Sequence, residues 1–76
     1  MKITAILVLI INLNTASVQE LQSLPGIGPA LARRIVVFRE KNNGFKRVEE
    51  LLAVPGISDK KWRAIRDKVE IGPPAQ

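Results

Sequence analysis

Apolar residues recur along this chain at helical spacings, and the same arrangement occurs twice. Val18, Leu21 and Leu24 share one face of a short helix predicted over about 18–24. Leu31, Ile35 and Phe38 follow at i, i+4 and i+7, which predicts a second helix from Pro29 to about Lys41. Val48, Leu51 and Val54 line a third helix beginning near Arg47. Trp62, Ile65 and Val69 line a fourth, ended by Gly72-Pro73-Pro74. The polar residues punctuate this pattern. Ser17-Val18-Gln19-Glu20 is a capping box, in which Ser17 accepts from the Glu20 N–H and the Glu20 side chain reaches back to the Ser17 N–H; Thr15 is a second candidate cap. Pro25-Gly26 stops the first helix. Pro29 opens the second, where its missing N–H costs nothing. Asn42-Asn43-Gly44 is a stop and turn signal, after which Phe45 is expected to fold back onto the core. Arg47 stands where Ser17 stood, so the third helix lacks a side-chain cap, at a cost of about 1 kcal/mol. Glu49 and Glu50 in its first turn suit the helix dipole. Ser58 or Asp59 is the cap of the fourth.

The duplication is explicit in the residues. Leu24-Pro25-Gly26-Ile27-Gly28 returns as Val54-Pro55-Gly56-Ile57-Ser58, flanked alike by Glu20-Leu21 and Glu50-Leu51, and by Arg33, Ile35 and Arg63, Ile65. One small unit, helix–Gly turn–helix, is used twice. Neither unit has enough apolar face to stand alone. The expected fold is all-α, with four main helices, a short connector around 42–46, and two units sharing one core about a pseudo-two-fold axis. The expected organisation is an apolar N-terminal segment at 1–11 outside the core fold, the tandem domain at 12–72, and a tail at 73–76.

Seventy-six residues allow one domain. A chain this short buries only about 60% of its unfolded surface, so its stability is modest. With no Cys and no His, neither a disulfide nor a Cys/His metal site braces it. Twelve Lys and Arg against seven acids give a net charge of +5, which attracts polyanions or anionic lipid without choosing between them.

The run Ile3–Ile11 carries no charge and follows Met1-Lys2. It is too short to span a bilayer, which takes about 20 residues. Three readings stay open: the end of a truncated membrane anchor, a signal sequence with Lys2 as its minimal basic region, or a peripheral strand or helix, since the run is rich in β-branched residues.

The Gly turns carry the candidate chemistry. Gly26 can take positive φ and reverse the chain. Ile27 points inward and pins the turn, and Gly28 has no side chain to keep a ligand from the backbone. The N–H groups near Gly26, Gly28 and Ala30 are then free to face outward at the positive end of the following helix, where a phosphate oxygen fits without any base being read. The second turn repeats this with Gly56, Ile57 and Ser58, whose hydroxyl can donate to a phosphate. Lys60 and Lys61 occupy the first turn of the next helix, where cations are unfavourable unless an anion offsets them. A purely structural reading also exists, since such a segment can be a tight αα-turn with Gly present for geometry. Duplication, basic balance and Lys60/Lys61 favour the phosphate reading. Arg34, Arg39, Arg66 and Lys68 read as solvated helix surface; Arg33 and Arg63, at matched repeat positions, are the better contact candidates. Trp62 reads as core and not as a base-stacking platform.

These residues resemble tandem helix-hairpin-helix domains, and more closely those of the competence protein ComEA type. The resemblance is carried by Gly26-Ile27-Gly28 and, in part, Gly56-Ile57-Ser58, by Ile11-Asn12-Leu13-Asn14-Thr15-Ala16-Ser17 before the first helix, by Phe38-Arg39, and by Gly44-Phe45. It covers 11–71. It implies non-sequence-specific binding of double-stranded DNA on the minor-groove side, each hairpin holding one strand's phosphates through backbone amides and a following basic residue. That residue matches Lys60; Ala30 fills its place in the first hairpin, which implies a weaker first half. The resemblance also implies a monovalent cation at a hairpin in some members, a place outside the cytoplasmic membrane, attachment through the N-terminus, and a part in DNA uptake during transformation. The chain is expected to be a monomer.

Catalysis is not expected: His, Cys and Tyr are absent, hydroxyls are few, and no base is placed to activate them. Two other classes compete with DNA binding. A helix-hairpin-helix pair can serve as a protein–protein module once a hairpin loses its Gly, as Ser58 hints. The apolar N-terminus with the basic helices could instead attach to anionic lipid.

Overall fold

The computed structural model describes residues 10–72. In order, these form a two-residue strand β1 (Ile11–Asn12), the helices α1 (Val18–Leu21) and α2 (Pro29–Lys41), a 3₁₀ helix at Val48–Ala53, the helix α3 (Asp59–Ile65), a 3₁₀ turn at Arg66–Lys68, and a strand β2 (Val69–Glu70). The domain is therefore mostly helical, with four helices and one short strand pair.

The capping box forms at α1: Glu20 N–H donates to Ser17 Oγ and Ser17 N–H to Glu20 Oε1, both at 3.1 Å. The helix is shorter than its apolar stripe suggests. The Gln22 amide is shared between Val18 O and Gln19 O, and those of Ser23 and Leu24 bond to carbonyls three residues back, because Pro25 disfavours α geometry at Leu24 and the chain tightens before the turn. The matched segment in the second unit is 3₁₀ throughout. Arg47 supplies no cap, but half of the box survives in altered form: Glu50 accepts from the Lys46 N–H at 3.3–3.4 Å. α2 runs as the sequence predicts, from Pro29 to Lys41. Two positive-φ residues, Asn43 (55°) and Gly44 (93°), turn the chain, with Gly44 N–H returning to Arg39 O at 2.7 Å.

The core is built from repeat partners. Leu21 and Leu51, Leu24 and Val54, Ile27 and Ile57, and Ile35 and Ile65 are all buried. Phe45 folds back as expected, fully buried and stacked on Phe38 with ring centroids 5.1 Å apart. Trp62 packs half-buried against the core, donates from its indole to Val48 O at 3.3 Å, and lies under the Arg66 guanidinium.

The end of the domain departs from the sequence expectation in two ways. The last α-helix stops at Ile65, and Val69 reaches the core from a strand, not from the helix stripe. Val69 pairs in parallel with Ile11, and Glu70 with Asn12. Ile11, assigned above to a segment outside the core, is itself buried. β-Branched Ile11 and Val69 suit a pleated, half-buried pair better than a last helical turn. The expectations for residues 1–9 and 73–76 lie outside the described residues.

Asn14 locks this closure. It is buried, its Nδ2 donates to Phe45 O (3.0 Å) and Gly72 O (2.7 Å), and its Oδ1 accepts from the Phe45 N–H (2.6 Å). Asn12 Oδ1 accepts from the N–H groups of Asn14 and Gly72, and Arg39 donates to the carbonyls of Leu13 and Ala16. The Asn12–Ala16 run thus ties the two ends of the described residues and the connector together, and Arg39 is part of that tie, not free surface.

Candidate functional site

Each Pro-Gly pair sits in a four-residue turn closed by a hydrogen bond, Ile27 N–H to Leu24 O at 3.2 Å and Ile57 N–H to Val54 O at 3.1 Å. Pro at the second position and a Gly of positive φ at the third, Gly26 at 78° and Gly56 at 95°, are the chemistry of a type II turn. The two isoleucines are buried. They are anchors: their side chains face the core and their N–H groups are already bonded. The donors left over are those of Gly26 and Gly28 in the first turn and Gly56 and Ser58 in the second, which have no acceptor among the described residues. Gly26, Gly28, Gly56 and Ser58 are all exposed.

The helix starts then differ. Gly28 is the cap residue of α2 and supplies no side-chain bond, so beyond Pro29 the N–H groups of Ala30 and Leu31 also stay open. Ser58 caps α3, its Oγ accepting from the Lys61 N–H at 3.2 Å. That leaves the hydroxyl proton of Ser58 and the N–H groups of Asp59 and Lys60 without an acceptor among the described residues. Lys60 is exposed and Lys61 half-buried.

The two candidate arginines are not equivalent. Arg63 is paired with Asp59, Nε to Oδ2 at 3.0 Å, one helical turn apart. Pro29 occupies the repeat position of Asp59, so Arg33 has no such partner and its charge stays available. The sequence pattern matched these two by position and missed the acid that separates them.

The packing of the units also brings in Arg34, which its sequence pattern places on solvated helix surface. Arg34 Nη1 donates to Pro55 O at 3.2 Å, so α2 of the first unit grips the turn of the second. A Cβ on Gly56 would lie 2.5 Å from Leu31 Cδ2 and 2.8 Å from Arg34 Nη1. Across the other boundary, a Cβ on Gly26 would lie 3.8 Å from Lys61 Nζ. Two clefts result. Pro25 and Gly26 face Ser58, Lys60 and Lys61 across one, and Pro55 faces Ala30, Arg33 and Arg34 across the other. The positive charge already lying against both glycines, and the use of Pro55 O by Arg34, do not fit a further cation at either hairpin. Among the described residues no group of three or more acidic, His or Cys side chains could hold a metal, and no helix is long and apolar enough to cross a membrane.

A family model described as the helix-hairpin-helix motif matches residues 9–70. The chain belongs to the helix-hairpin-helix family. Its tandem is of the ComEA type: ComE operon protein 1 of Bacillus subtilis is 36% identical over 62 residues, 82% of this chain and 30% of that protein. The human endonuclease/exonuclease/phosphatase family domain-containing protein 1 is 42% identical over 59 residues, 78% of this chain but 10% of that protein. An uncharacterized protein of Haemophilus influenzae is 43% identical over 60 residues, 54% of its length. This chain therefore spans under a third of the first two relatives, and the helix-hairpin-helix tandem is the part it shares with them.

Proposed function

We propose that this domain holds double-stranded DNA by its phosphates, without reading sequence, and does no chemistry on it. The observation that carries the reading is the pair of closed turns. In each, the Ile N–H is spent inward while the flanking amides, at Gly26 and Gly28 and at Gly56 and Ser58, face outward without an acceptor among the described residues. Backbone donors of this kind bind a phosphate oxygen and carry no base information. α2 adds the positive end of a thirteen-residue helix behind the first turn. Arg33, Lys60 and Lys61 add charge, and Arg63 adds it in competition with Asp59.

The reciprocal packing of Gly26 on Lys61 and Gly56 on Leu31 joins matched repeat positions and supports a pseudo-two-fold relation between the units. Two hairpins so related suit the two strands flanking a minor groove. The domain acts as a monomer in this reading, with roughly four to six phosphate contacts and micromolar affinity at physiological salt, the range of non-specific binders. The ComEA-type tandem connects this to the uptake of DNA during transformation.

Charge reversal tests the reading against a protein partner. Lys60→Glu with Lys61→Glu is expected to abolish binding to a duplex while the helical circular dichroism stays intact. Retained DNA binding by that variant overturns the assignment of Lys60 and Lys61 as phosphate contacts. Binding lost only on substitution of exposed apolar residues such as Val37 or Leu52 favours a protein-interaction module instead.

A further inference from the structure

The basic residue expected to serve each hairpin is the one that follows it in sequence, and by that rule the first hairpin has none, because Ala30 stands where Lys60 stands in the second. The packing supplies it from elsewhere. Lys61, on α3 of the second unit, is half-buried with its side chain laid along Gly26: a Cβ there would lie 4.0 Å from its Cγ and 3.8 Å from its Nζ. Its ammonium therefore stands beside the first turn, in a cleft that Ser58 of its own turn also lines. The second hairpin is approached in the same crossed sense. Arg34, on α2 of the first unit, bonds Pro55 O with Nη1, and that nitrogen would be 2.8 Å from a Gly56 Cβ. A guanidinium has five N–H donors, so one bond to Pro55 leaves the rest of the fork free beside Gly56. Arg34 has no basic counterpart in the repeat: Ala64 occupies that position. The crossing is thus a property of the packed pair and not of the repeat unit.

We propose that the hairpins are served crosswise, with Lys61 as the phosphate-contacting cation of the first hairpin and Arg34 as the residue that positions the second and adds charge beside it. This rests on the DNA reading above. It makes the two contact sites interdependent, since each is completed by the other unit, and it removes the reason for expecting the first hairpin to be the weaker half.

The test is a duplex titration of the full chain, ¹⁵N-labelled, followed at the amides of Gly26, Gly28, Gly56 and Ser58. Lys61→Gln is expected to reduce the DNA-induced shifts at Gly26 and Gly28 by half or more and to spare Gly56 and Ser58. Arg34→Gln is expected to do the reverse. Each variant should weaken binding about fivefold at 0.15 M salt and lower the salt slope by about 0.9, the signature of one lost phosphate contact. Lys61→Arg, which keeps the charge, should retain the wild-type response at Gly26 and Gly28. Loss confined to Gly56 and Ser58 in Lys61→Gln, or salt slopes unchanged in both Gln variants, overturns the crossed arrangement while leaving DNA binding standing. No shift at any of the four amides in the wild type contradicts the DNA reading itself, and the crossed arrangement falls with it.

Discussion

The two hairpins share a backbone and differ in almost everything mounted on it. Both turns are closed by the same Ile N–H bond, and both rest on matched buried residues. The first is bare. Gly28, Pro29 and Ala30 give it no side-chain cap, no ion pair and no cation of its own. The second is furnished. Ser58 ties up the Lys61 N–H, Asp59 holds Arg63, and Lys60 adds a charge, while the Lys61 ammonium reaches across to Gly26. Both offer backbone, at Gly26, Gly28, Ala30 and Leu31 in the first and at Gly56, Ser58, Asp59 and Lys60 in the second, with no acceptor among the described residues; the second mounts side chains beside it. The core tolerates less divergence because a buried pair must conserve volume, whereas an exposed turn needs only its φ.

Substitution of the positive-φ glycines tests the comparison most severely. Gly26→Val and Gly56→Val each force a β-branched residue into a conformation that costs about 1–3 kcal/mol. Gly56→Val should fall further, by about 1 kcal/mol, because its side chain must also displace Leu31 and Arg34, whereas Gly26 has room. Urea unfolding midpoints measure this; equal losses would mean that the second turn is no more crowded than the first. Gly26→Val is also expected to weaken DNA binding, and retained binding would show that the first turn is not a contact.

Exchanging the cap residues comes next. Gly28 has φ −91° and nothing within 4 Å of a Cβ, so Gly28→Ser should fit without strain and gain a few tenths of a kcal/mol from its cap. Ser58→Gly should lose about as much. Thermal melts of the two single variants and the double exchange check this, and a large loss in Gly28→Ser would show that the bare turn is bare for packing reasons.

The smallest effect belongs to Asp59. Asp59→Asn removes the partner of Arg63 and an acid from the first turn of α3, at a cost of about 0.5 kcal/mol. It also frees Arg63 and removes a repulsion near phosphate, so DNA affinity should rise about two- to threefold, the lesser part of one phosphate contact. An unchanged or lower affinity in anisotropy would mean that Arg63 lies off the interface.

Much of this was legible in the chain. Local chemistry has local signals: Ser17 and Glu20 announce a cap, Pro25-Gly26 and Pro55-Gly56 announce turns, Asn42-Asn43-Gly44 ends α2, and each appears where the residues place it. What escaped was set by pairing at long range. Ile11 and Val69 form only two residues of strand each, too short for an alternating pattern, and they meet only after the helices have packed. Asn14 looks like a loop residue until Phe45 and Gly72 surround it. Arg34 reads as helix surface, and Lys61 as a contact of its own hairpin, because their targets, Pro55 and Gly26, belong to the other unit. The amides that make the candidate site were legible, and so was Lys61; the crossing of Lys61 and Arg34 to the other unit was not.

The most direct measurement is fluorescence anisotropy of two unrelated 20-base-pair duplexes titrated with the full chain at several salt concentrations. A phosphate-backbone binder should bind both equally, with log K falling against log salt at a slope near −4 to −5. Strong preference for one duplex, or no binding even at low salt, would contradict the account.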